Sequence, residues 1–408
     1  MNLSMNRRTF LPLSVVLVLL ALSTGIGQQA APATKTVSIP FDMVTRHIVV
    51  KVTVDKSRPL SFVFDTGAGR GIIDIERARE LGLDLQGRVR VGGAGAQTQT
   101  GAMVQNARWS LVGLENFSQP VSLAIPLGNI AARFGNDFDG IIGSEFIKEF
   151  VVEVDYEKRL LTLHDKRTFK YTGSGESIPI ELDSEGHPHL VAEITPIDLK
   201  PVRAKVVLDL GSGGSLALHS PFVKEHRLLE GKGTTIRAIG VGGAGGQSVG
   251  KFGRVAELKI GSFKIANPLT LFSQDKAGAF ANSSLAGNIG QRIAGKFKLF
   301  LDYENRRTIF EPTKSLGEPF DRANPGISLR AEAPNFKTFR ITDVLENSPG
   351  SEAGLQIDDL IIKIDDKSNT DLTITRIQEL FEQSKPYKLT IRRGEQTLQV
   401  MLVPRKLV

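Results

Sequence analysis

The feature that most constrains this chain is an aspartate at the end of an apolar run, and it occurs twice. Residues 62–64 are Phe, Val and Phe, and Asp65 follows them; residues 206–208 are Val, Val and Leu, and Asp209 follows them. Such a run is typical of a strand buried in a core, and an ionised carboxylate buried at its end costs several kcal/mol unless it is paired or hydrogen-bonded. Two such aspartates in one chain suggest that each is the other's partner.

The two aspartates belong to a long internal repeat. They lie 144 positions apart, and a Val-Gly-Gly-Ala-Gly segment at 91–95 returns 150 positions later at 241–245. Further matches keep the same order, with offsets that drift by only a few residues. We therefore predict two copies of one lobe, roughly 35–166 and 175–313.

Each lobe is predicted to consist mostly of strands. Short segments rich in Val, Ile, Leu and Phe, such as 49–54 and 204–208, are broken by Gly, Asn and Asp. Short helices are expected at 75–81 and 221–228, where the apolar spacing changes. Repeated lobes of this kind pair about a pseudo-twofold axis, so we expect each lobe to contribute its aspartate at that axis.

The residues after each aspartate resemble the active-site turn of retropepsin-type aspartic proteases. The first turn is Asp-Thr-Gly-Ala and the second is Asp-Leu-Gly-Ser, and the segments 139–143 and 287–290 resemble the hydrophobic-hydrophobic-Gly element of that family. The resemblance implies a mainly β, bilobal pepsin/retropepsin-like acid protease fold and an aspartic endopeptidase activity. It assigns catalysis to two residues and active-site support to five: Asp65 and Asp209, and Thr66, Gly67, Ala68, Gly211 and Ser212.

A pair of carboxylates can hydrolyse an amide without a metal or a covalent nucleophile. One takes a proton from water while the other protonates the carbonyl oxygen, and two carboxylates about 3 Å apart hold a single proton because like charges that close cannot both ionise. The proton belongs to the coupled pair, so the sequence does not assign it to either Asp65 or Asp209.

The second turn departs from the family pattern. In the family, the Thr of each turn donates a hydrogen bond across the lobe interface, which Thr66 can do and Leu210 cannot. Ser212 is expected to hydrogen-bond Asp209, as the Ser at this position does in pepsin-like enzymes, whereas Ala68 cannot do the same for Asp65.

Two glycine-rich segments resemble the flap tips of retropepsins, which close over an extended peptide. The flap of pepsin-like enzymes carries a Tyr, and none of the four Tyr of this chain lies in either segment, so the resemblance is to the retropepsin side. The alternative is that the glycines simply make tight hairpins. The predicted flap residues are Gly92, Gly93, Gly95, Gly242, Gly243 and Gly245.

After a proline-containing linker at 314–325, residues 326–404 resemble a bacterial PDZ domain. The resemblance rests on the order of strands and helices and on the Ser-Pro-Gly-Ser-Glu-Ala-Gly-Leu segment at 348–355. It implies a module that binds the C-terminal tails of peptides by adding them to a sheet edge. The peptide-binding turn is predicted at Gly326, Ile327, Ser328 and Leu329.

The N-terminus predicts export. Residues 1–30 contain Arg7 and Arg8, then an apolar run at 11–22 and a small or polar stretch, which is the pattern of a signal peptide of the Sec or twin-arginine type. The run is too short for a transmembrane helix, so no membrane span is expected in the mature protein, which we place in the periplasm or outside the cell. The chain has no Cys, which excludes thiol proteases and thiolate metal sites.

Other kinds of site are weakly indicated. Ser248 lies in a Gly-x-Ser-x-Gly segment but has no His after it, and His187 and His189 lack metal-ligand spacing. Basic pairs are scattered along the chain, which favours a solvated surface over nucleic-acid binding. We therefore expect no cofactor, no metal and no nucleic-acid partner.

The sequence thus predicts an exported aspartic endopeptidase that acts on protein or peptide substrates through Asp65 and Asp209. Two alternatives stay open. The chain could be a catalytically inert peptide-binding protein, to which Leu210 and Asn288 point, or a scaffold protein in which the PDZ module dominates.

Overall fold

The structure is a computed structural model that describes residues 36–115, 117–198 and 200–408. The predicted signal peptide lies outside these residues. The part of the chain that the structure describes contains no helix long and apolar enough to cross a bilayer.

The first lobe consists of short strands and three short helices. Helix α1 begins after Asp74, whose side chain accepts the N–H groups of Glu76 and Arg77 and so caps the helix. The strands are β1 Val37–Pro40, β2 Asp42–Val44, β3 His47–Val54, β4 Leu60–Phe64, β5 Ile72–Asp74, β6 Asp84–Val91, β7 Gln99–Gln105, β8 Arg108–Leu111, β9 Gln119–Pro120, β10 Leu123–Ile125, β11 Gly140–Ile142, β12 Phe150–Asp155 and β13 Leu160–Asp165, and the helices are α1 Ile75–Glu80, α2 Gly128–Phe134 and α3 Ser144–Ile147.

The second lobe repeats this plan. Its strands are β14 Glu176–Pro179, β15 Glu181–Leu182, β16 Pro188–Thr195, β17 Val202–Leu208, β18 Leu216–Leu218, β19 Ile236–Arg237, β20 Gly242–Gly243, β21 Gly246–Gln247, β22 Gly250–Arg254, β23 Glu257–Ile260, β24 Phe263–Ala266, β25 Leu269–Ser273, β26 Gly287–Ile289, β27 Phe297–Asp302 and β28 Arg307–Pro312. Its helices are α4 Ser220–Glu225 and α5 Gln291–Ala294, with 3-10 turns at Ala279–Ala281 and Lys314–Gly317. Helices α1 and α4 confirm the two helices predicted from the apolar spacing.

Sheet topology confirms the internal repeat. The main sheet of the first lobe has the order β6-β7-β10-β5-β11-β4-β3-β8-β9, and that of the second lobe has the order β19-β22-β25-β18-β26-β17-β16-β23-β24. Each strand of one order has its counterpart at the same place in the other. The fold is therefore mainly β and bilobal, as predicted.

A six-stranded sheet joins the lobes. Its order is β1-β13-β12-β27-β28-β14, so its centre is the pairing of β12 with β27, where Val152 lies opposite Leu301. The largest apolar cluster also runs through both lobes, and it includes the strand ends Phe64 and Leu208, both fully buried. The lobes therefore share one core, and the complete burial of each such side chain contributes about 1.5–3 kcal/mol to its stability.

The C-terminal module has its own core and sheet. Its elements are β29 Ile327–Glu332, β30 Thr338–Val344, α6 Pro349–Glu352, β31 Leu360–Ile364, β32 Lys367–Ser368, a 3-10 turn at Asn369–Asp371, α7 Ile374–Phe381, β33 Tyr387–Arg393 and β34 Gln396–Leu402. The sheet order is β29-β30-β31-β33-β34, and Phe339, Ile377 and Tyr387 are fully buried between the sheet and α7.

The module contacts both lobes. Arg237 of the second lobe forms two hydrogen bonds with Asp343, at 2.8 and 2.9 Å, and the N–H of Thr45 in the first lobe donates to Thr375 Oγ1 at 3.0 Å. Glu382, which caps the end of α7, accepts bonds from Arg292 and Arg322 at 2.5 Å each. The module is thus bonded to each of the lobes.

Candidate active site

Each aspartate is held at the end of a buried strand by a parallel neighbour. Strand β4 is buried along its whole length, and β11 pairs with it in parallel, so that the N–H of Asp65 donates to the carbonyl of Ile142 at 3.0 Å. In the second lobe β26 pairs with β17 in the same way, and the N–H of Asp209 donates to the carbonyl of Ile289 at 2.8 Å. The apolar runs seen in the sequence therefore position the two carboxyl groups.

The two glycine turns cross over each other's aspartate. The N–H of Gly67 donates to Asp65 Oδ1 at 2.7 Å, and the N–H of Gly211 donates to Asp209 Oδ1 at 3.0 Å. A Cβ atom on Gly67 would lie 2.8 Å from Asp209 Oδ1, and one on Gly211 would overlap the Asp65 carboxyl group. Glycine is needed at both positions because each carboxyl lies against the backbone of the other lobe's turn.

The carboxyl groups of Asp65 and Asp209 face the same point, because a Cβ atom on Gly67 would lie 2.8 Å from Asp209 Oδ1 and 3.1 Å from Asp65 Oδ1. Burial and the adjacent Asp209 carboxyl raise the pKa of Asp65 to about 8. Burial also raises the pKa of Asp209, although the hydrogen bond from Asn288 opposes this rise. A pair in which one member stays protonated near neutral pH can supply both an acid and a base to the same bond.

Thr66 bridges the lobes from the first turn. Its Oγ1 donates to the carbonyl of Leu208 at 2.5 Å and accepts the N–H of Leu210 at 2.8 Å, and the side chain is fully buried. This is the cross-interface bond expected of Thr66 from the family resemblance.

Leu210 takes the equivalent place in the second lobe and is buried in the shared core. Its carbonyl instead accepts a bond from Gln291 Nε2 at 2.6 Å, and the hydroxyl of Tyr156 donates to Gln291 Oε1 at 2.5 Å. The second turn is therefore held by an amide from α5, and this support was not predicted from the sequence.

Within the described residues, a side-chain amide donates to Asp209, and no such amide reaches Asp65. Asn288 Nδ2 donates to Asp209 Oδ2 at 2.7 Å, and Asn288 Oδ1 lies 2.8 Å from His219 Nε2. Ser212 is the donor expected from the sequence, but no hydrogen bond from Ser212 Oγ to Asp209 occurs among the described residues. The side-chain donor is instead Asn288, which reaches the carboxyl from the neighbouring strand β26. The signal in the sequence was an Asn at a position of the Gly-Asn-Ile-Gly segment that is apolar in the first copy.

The predicted flap segments meet each other. The N–H of Gly243 donates to the carbonyl of Ala94 at 3.0 Å, and the N–H of Gln97 donates to the carbonyl of Gly245 at 2.8 Å. A Cβ atom added to Gly93 or Gly245 would lie 3.1 or 2.7 Å from an atom of the opposite segment. Gly95 and Gly242 have positive φ angles, of +101° and +146°. Gly92 has open space around it. Close approach and left-handed backbone explain the glycines, and the two tips form one closed contact.

The predicted peptide-binding turn lies at the start of the edge strand of the module. Gly326 has φ of +71° and is so close to Ser348 that a Cβ atom would overlap it. Ile327, Ser328 and Leu329 follow on β29, which pairs with no strand except β30 in the part of the chain that the structure describes. The residues thus occupy an unpaired sheet edge, and α7 lies beside it.

Within the residues that the structure describes, no group of three or more His, Asp or Glu side chains is arranged to hold a metal ion. His187 Nδ1 donates to Asp183 Oδ2, 2.8 Å away, and His189 Nε2 on strand β16 lies 3.5 Å from the same oxygen, so the two rings share one carboxylate.

Comparisons with known proteins agree with this architecture. Residues 50–146 match the family model of aspartyl proteases, and residues 340–393 match that of PDZ domains. No curated protein sequence matches the chain.

Among solved structures, the chain is similar to the aspartic proteinase from Irpex lacteus, with 14% sequence identity and a TM-score of 0.43, over 70% of this chain and 99% of that one. It is also similar to the HtrA3 PDZ domain bound to a phage-derived ligand, with 24% identity and a TM-score of 0.19, over 21% of this chain and 86% of that one. From the two family matches, the chain carries an aspartyl protease domain followed by a C-terminal PDZ domain.

Proposed function

We propose that the chain is an aspartic endopeptidase in which Asp65 and Asp209 hydrolyse peptide bonds. The observation that carries this proposal is the adjacent, buried carboxyl pair. Its members come from two equivalent turns, one in the lobe that matches the aspartyl protease family and one in its repeat. An inert structural pair would not need glycines that bring two acidic groups together at a cost in repulsion.

The reaction follows from the single proton that the pair shares. The ionised carboxylate takes a proton from a water molecule while the water oxygen attacks the carbonyl carbon of the substrate, and the protonated carboxyl gives its proton to the carbonyl oxygen. The dyad then gives its proton to the amide nitrogen and takes one from a hydroxyl of the tetrahedral intermediate as the C–N bond breaks, so that it is left with one proton as before.

The flap segments would enclose the substrate. The interlocked tips at 92–97 and 242–247 must part to admit an extended peptide, after which their backbone groups can pair with it. The PDZ domain would recruit or position substrates by binding their C-terminal tails along β29. We further propose that the protein is exported through its N-terminal segment and works in the periplasm or outside the cell, as residues 1–30 suggest.

A catalytically inert peptide-binding protein is the second candidate, and Leu210 is the observation that favours it. The residue removes the hydroxyl that would bridge the lobes from the second turn. Loss of that bridge could leave a dyad that holds peptides without turning them over.

One comparison separates the two functions. Purified chain is incubated with denatured casein between pH 3 and 8, beside Asp65→Asn, Asp209→Asn and the matched control Asp42→Asn, which removes an exposed carboxylate of β2. Cleavage by the chain and the control that falls at least about 1000-fold in both dyad variants supports the endopeptidase. Retained peptide binding without cleavage by any of the four proteins supports the inert binder.

A further inference from the structure

The first inference concerns what makes the two aspartates unequal, and it rests on the endopeptidase function proposed above. Asn288 donates to Asp209 Oδ2 at 2.7 Å, so its amide oxygen faces the other way, towards His219 Nε2 at 2.8 Å. Because that oxygen can only accept, Nε2 is the ring nitrogen that donates to it, and Nδ1 lies at the longer distance of 3.3 Å from the carbonyl oxygen of Asn282. The His219 ring thus fixes the amide with its NH2 group on Asp209.

The equivalent residues of the first lobe do something else. The strand pairings show that Ile141 is the residue of the first lobe equivalent to Asn288, and that Asp74 is the residue equivalent to His219. Ile141 has no hydrogen-bonding group, and Asp74 caps α1. His219 also stands at the start of a helix, α4, but makes no capping bond, and its buried ring is turned to the dyad instead.

We propose that Asn288 and His219 are positioning residues that make Asp209 the ionised member of the dyad, and therefore its base, while Asp65 carries the proton and serves as the acid. A charge-assisted hydrogen bond stabilises the ionised form of the carboxyl that accepts it. Besides Asp65, the titratable groups that act on Asp209 are His187, through space, and His219, through Asn288. Burial lowers the pKa of His219 and so favours the neutral ring.

The test is the pH profile of kcat/KM. Asn288→Leu removes the donor at nearly constant volume, and it is expected to move the acid limb of the profile upward by about one pH unit, because the ionised form loses a hydrogen bond. His219→Phe should move the limb in the same direction, and His219→Gln, which keeps a donor near the position of Nε2, should restore the original limb. A purely structural role would lower the rate at all pH values without moving the limb, and an unmoved limb in Asn288→Leu overturns the proposal.

A second readout separates this proposal from the endopeptidase function. In protein labelled with 13C at the Asp carboxyl groups, the lower of the two apparent pKa values of the dyad should rise in Asn288→Leu, and no substrate is needed for the measurement. If the unaltered chain cleaves nothing at any pH, the endopeptidase function fails while this titration still decides the role of Asn288. If the lower of the two apparent pKa values is the same in Asn288→Leu as in the unaltered chain, that role is rejected.

The second inference concerns the groove of the PDZ domain, and it rests on other contacts. Helix α2 of the first lobe lies against both β29 and α7, the two elements between which a peptide would bind. At its end, Gly135 has φ of +62°, and a Cβ atom there would lie 2.5 Å from Ile374 Cγ1 of α7 and 3.3 Å from Ala331 Cβ of β29. The backbone of this lobe therefore touches both walls of the groove.

The same helix reaches the active-site side of its lobe. The ring of Phe134 packs on His47, with centroids 4.4 Å apart, and on Phe138. Ile130 and Phe134 join the apolar cluster that also includes Ala68 of the first active-site turn. Helix α2 thus lies between the groove and the turn that carries Asp65.

We infer that α2 is a built-in competitor for the PDZ groove, so that a peptide tail with an apolar last residue binds only when α2 moves away from β29. The inference uses the peptide binding proposed for the PDZ domain, but it does not depend on catalysis. By thermodynamic reciprocity, whatever draws α2 away from the groove must also favour binding of the tail.

The experiment compares two left-handed glycines that end a helix. Gly135→Ala adds a methyl group that meets Ile374, whereas Gly82→Ala, at φ of +68° after α1, adds one with nothing within 4 Å. Binding of a fluorescent peptide library ending in Val, with its C-terminally amidated form as a control, is measured on full-length proteins. We expect Gly135→Ala to bind the free-carboxylate library about tenfold more tightly than the unaltered chain, and Gly82→Ala to bind like the unaltered chain.

Equal affinities in all three proteins, or no binding in any of them, would overturn the competition. Hydrogen exchange provides a second measurement that needs no variant. The amides of residues 130–135 should exchange faster when the unaltered chain is saturated with the library, and unchanged exchange at saturation would show that the tail binds without moving α2.

Discussion

The two active-site turns descend from one repeat, yet they support their aspartates in different ways. The first turn contributes Thr66, which bonds to the backbone on both sides of Asp209, at the carbonyl of Leu208 and the N–H of Leu210. The second turn contributes no such hydroxyl and is held from within its own lobe, by Gln291 on its backbone and Asn288 on its carboxylate. The first lobe therefore supplies the bridge between the turns, and the second supplies the extra hydrogen bond to a charge.

This difference shows what duplication within one chain permits. In a symmetric dimer any substitution occurs at both turns, so a donor beside one aspartate is also a donor beside the other. With both lobes in one chain, each turn can change alone, and a carboxyl pair with inherently equal members can acquire a fixed acid and a fixed base. Four measurements test this difference between the two turns.

The largest expected effect follows removal of the bridge. Thr66→Val keeps the shape of the side chain but leaves the N–H of Leu210 and the carbonyl of Leu208 without their bonds in a fully buried site. Each unsatisfied group costs about 1–3 kcal/mol, so the free energy of unfolding should fall by about 4 kcal/mol in urea titrations. The control Thr53→Val changes a half-buried Thr of β3. A loss under 1 kcal/mol in Thr66→Val would show that the bridge is not what joins the turns.

The second effect is a dependence of stability on pH. The pKa of Asp65 is raised in the folded protein to about 8 from an ordinary value of 3.8, so the folded state holds more protons than the unfolded state between these values. Stability should therefore fall as pH rises from about 4 to about 8, by an amount on the order of 3 kcal/mol. Asp65→Asn should flatten this slope more than Asp209→Asn, because Asn288 already stabilises the charge on Asp209. Melting temperatures that rise with pH in the unaltered chain would contradict the shared proton.

The third effect tests the support that only the second turn has. Gln291→Leu leaves the carbonyl of Leu210 and the hydroxyl of Tyr156 unpaired, and should cost about 2 kcal/mol of unfolding free energy. Ser144 is the equivalent residue in the first lobe, and within the described residues its buried hydroxyl lies near that of Tyr303 and makes no bond to the first turn. Ser144→Ala is therefore the matched control, with an expected change below about 0.5 kcal/mol. Equal costs for the two variants would mean that the lobes are supported alike.

Much of this site could be predicted because its chemistry is local in the sequence. A buried strand followed by Asp and Gly fixes the path of each turn, and the repeat brings the two turns together. The bridge by Thr66, the closeness of the two carboxyl groups and the glycine-dense tips at 92–95 and 242–245 all follow from motifs a few residues long.

The missed features depend on register and on contacts between distant elements. Asn288 reaches Asp209 only because β26 pairs in parallel with β17, and His219 lies 69 positions before Asn288. Ser212 is adjacent to the turn and was the better candidate by sequence alone, but its hydroxyl does not reach the carboxylate. The contact of α2 with the PDZ domain was missed because a seven-residue helix carries no pattern that names its partner.

The smallest expected effect comes from making the turns alike. Leu210→Thr introduces the hydroxyl that a symmetric bridge would use, and one new hydrogen bond would contribute about 1 kcal/mol. The substitution also removes apolar atoms of a fully buried side chain from the shared core, which costs about the same. We therefore expect unfolding free energies that differ by less than about 1 kcal/mol, with casein cleavage as the second readout. A clear gain in both would show that Leu210 is a defect of the second turn, whereas a loss above 2 kcal/mol would show that packing at this position has replaced the bridge.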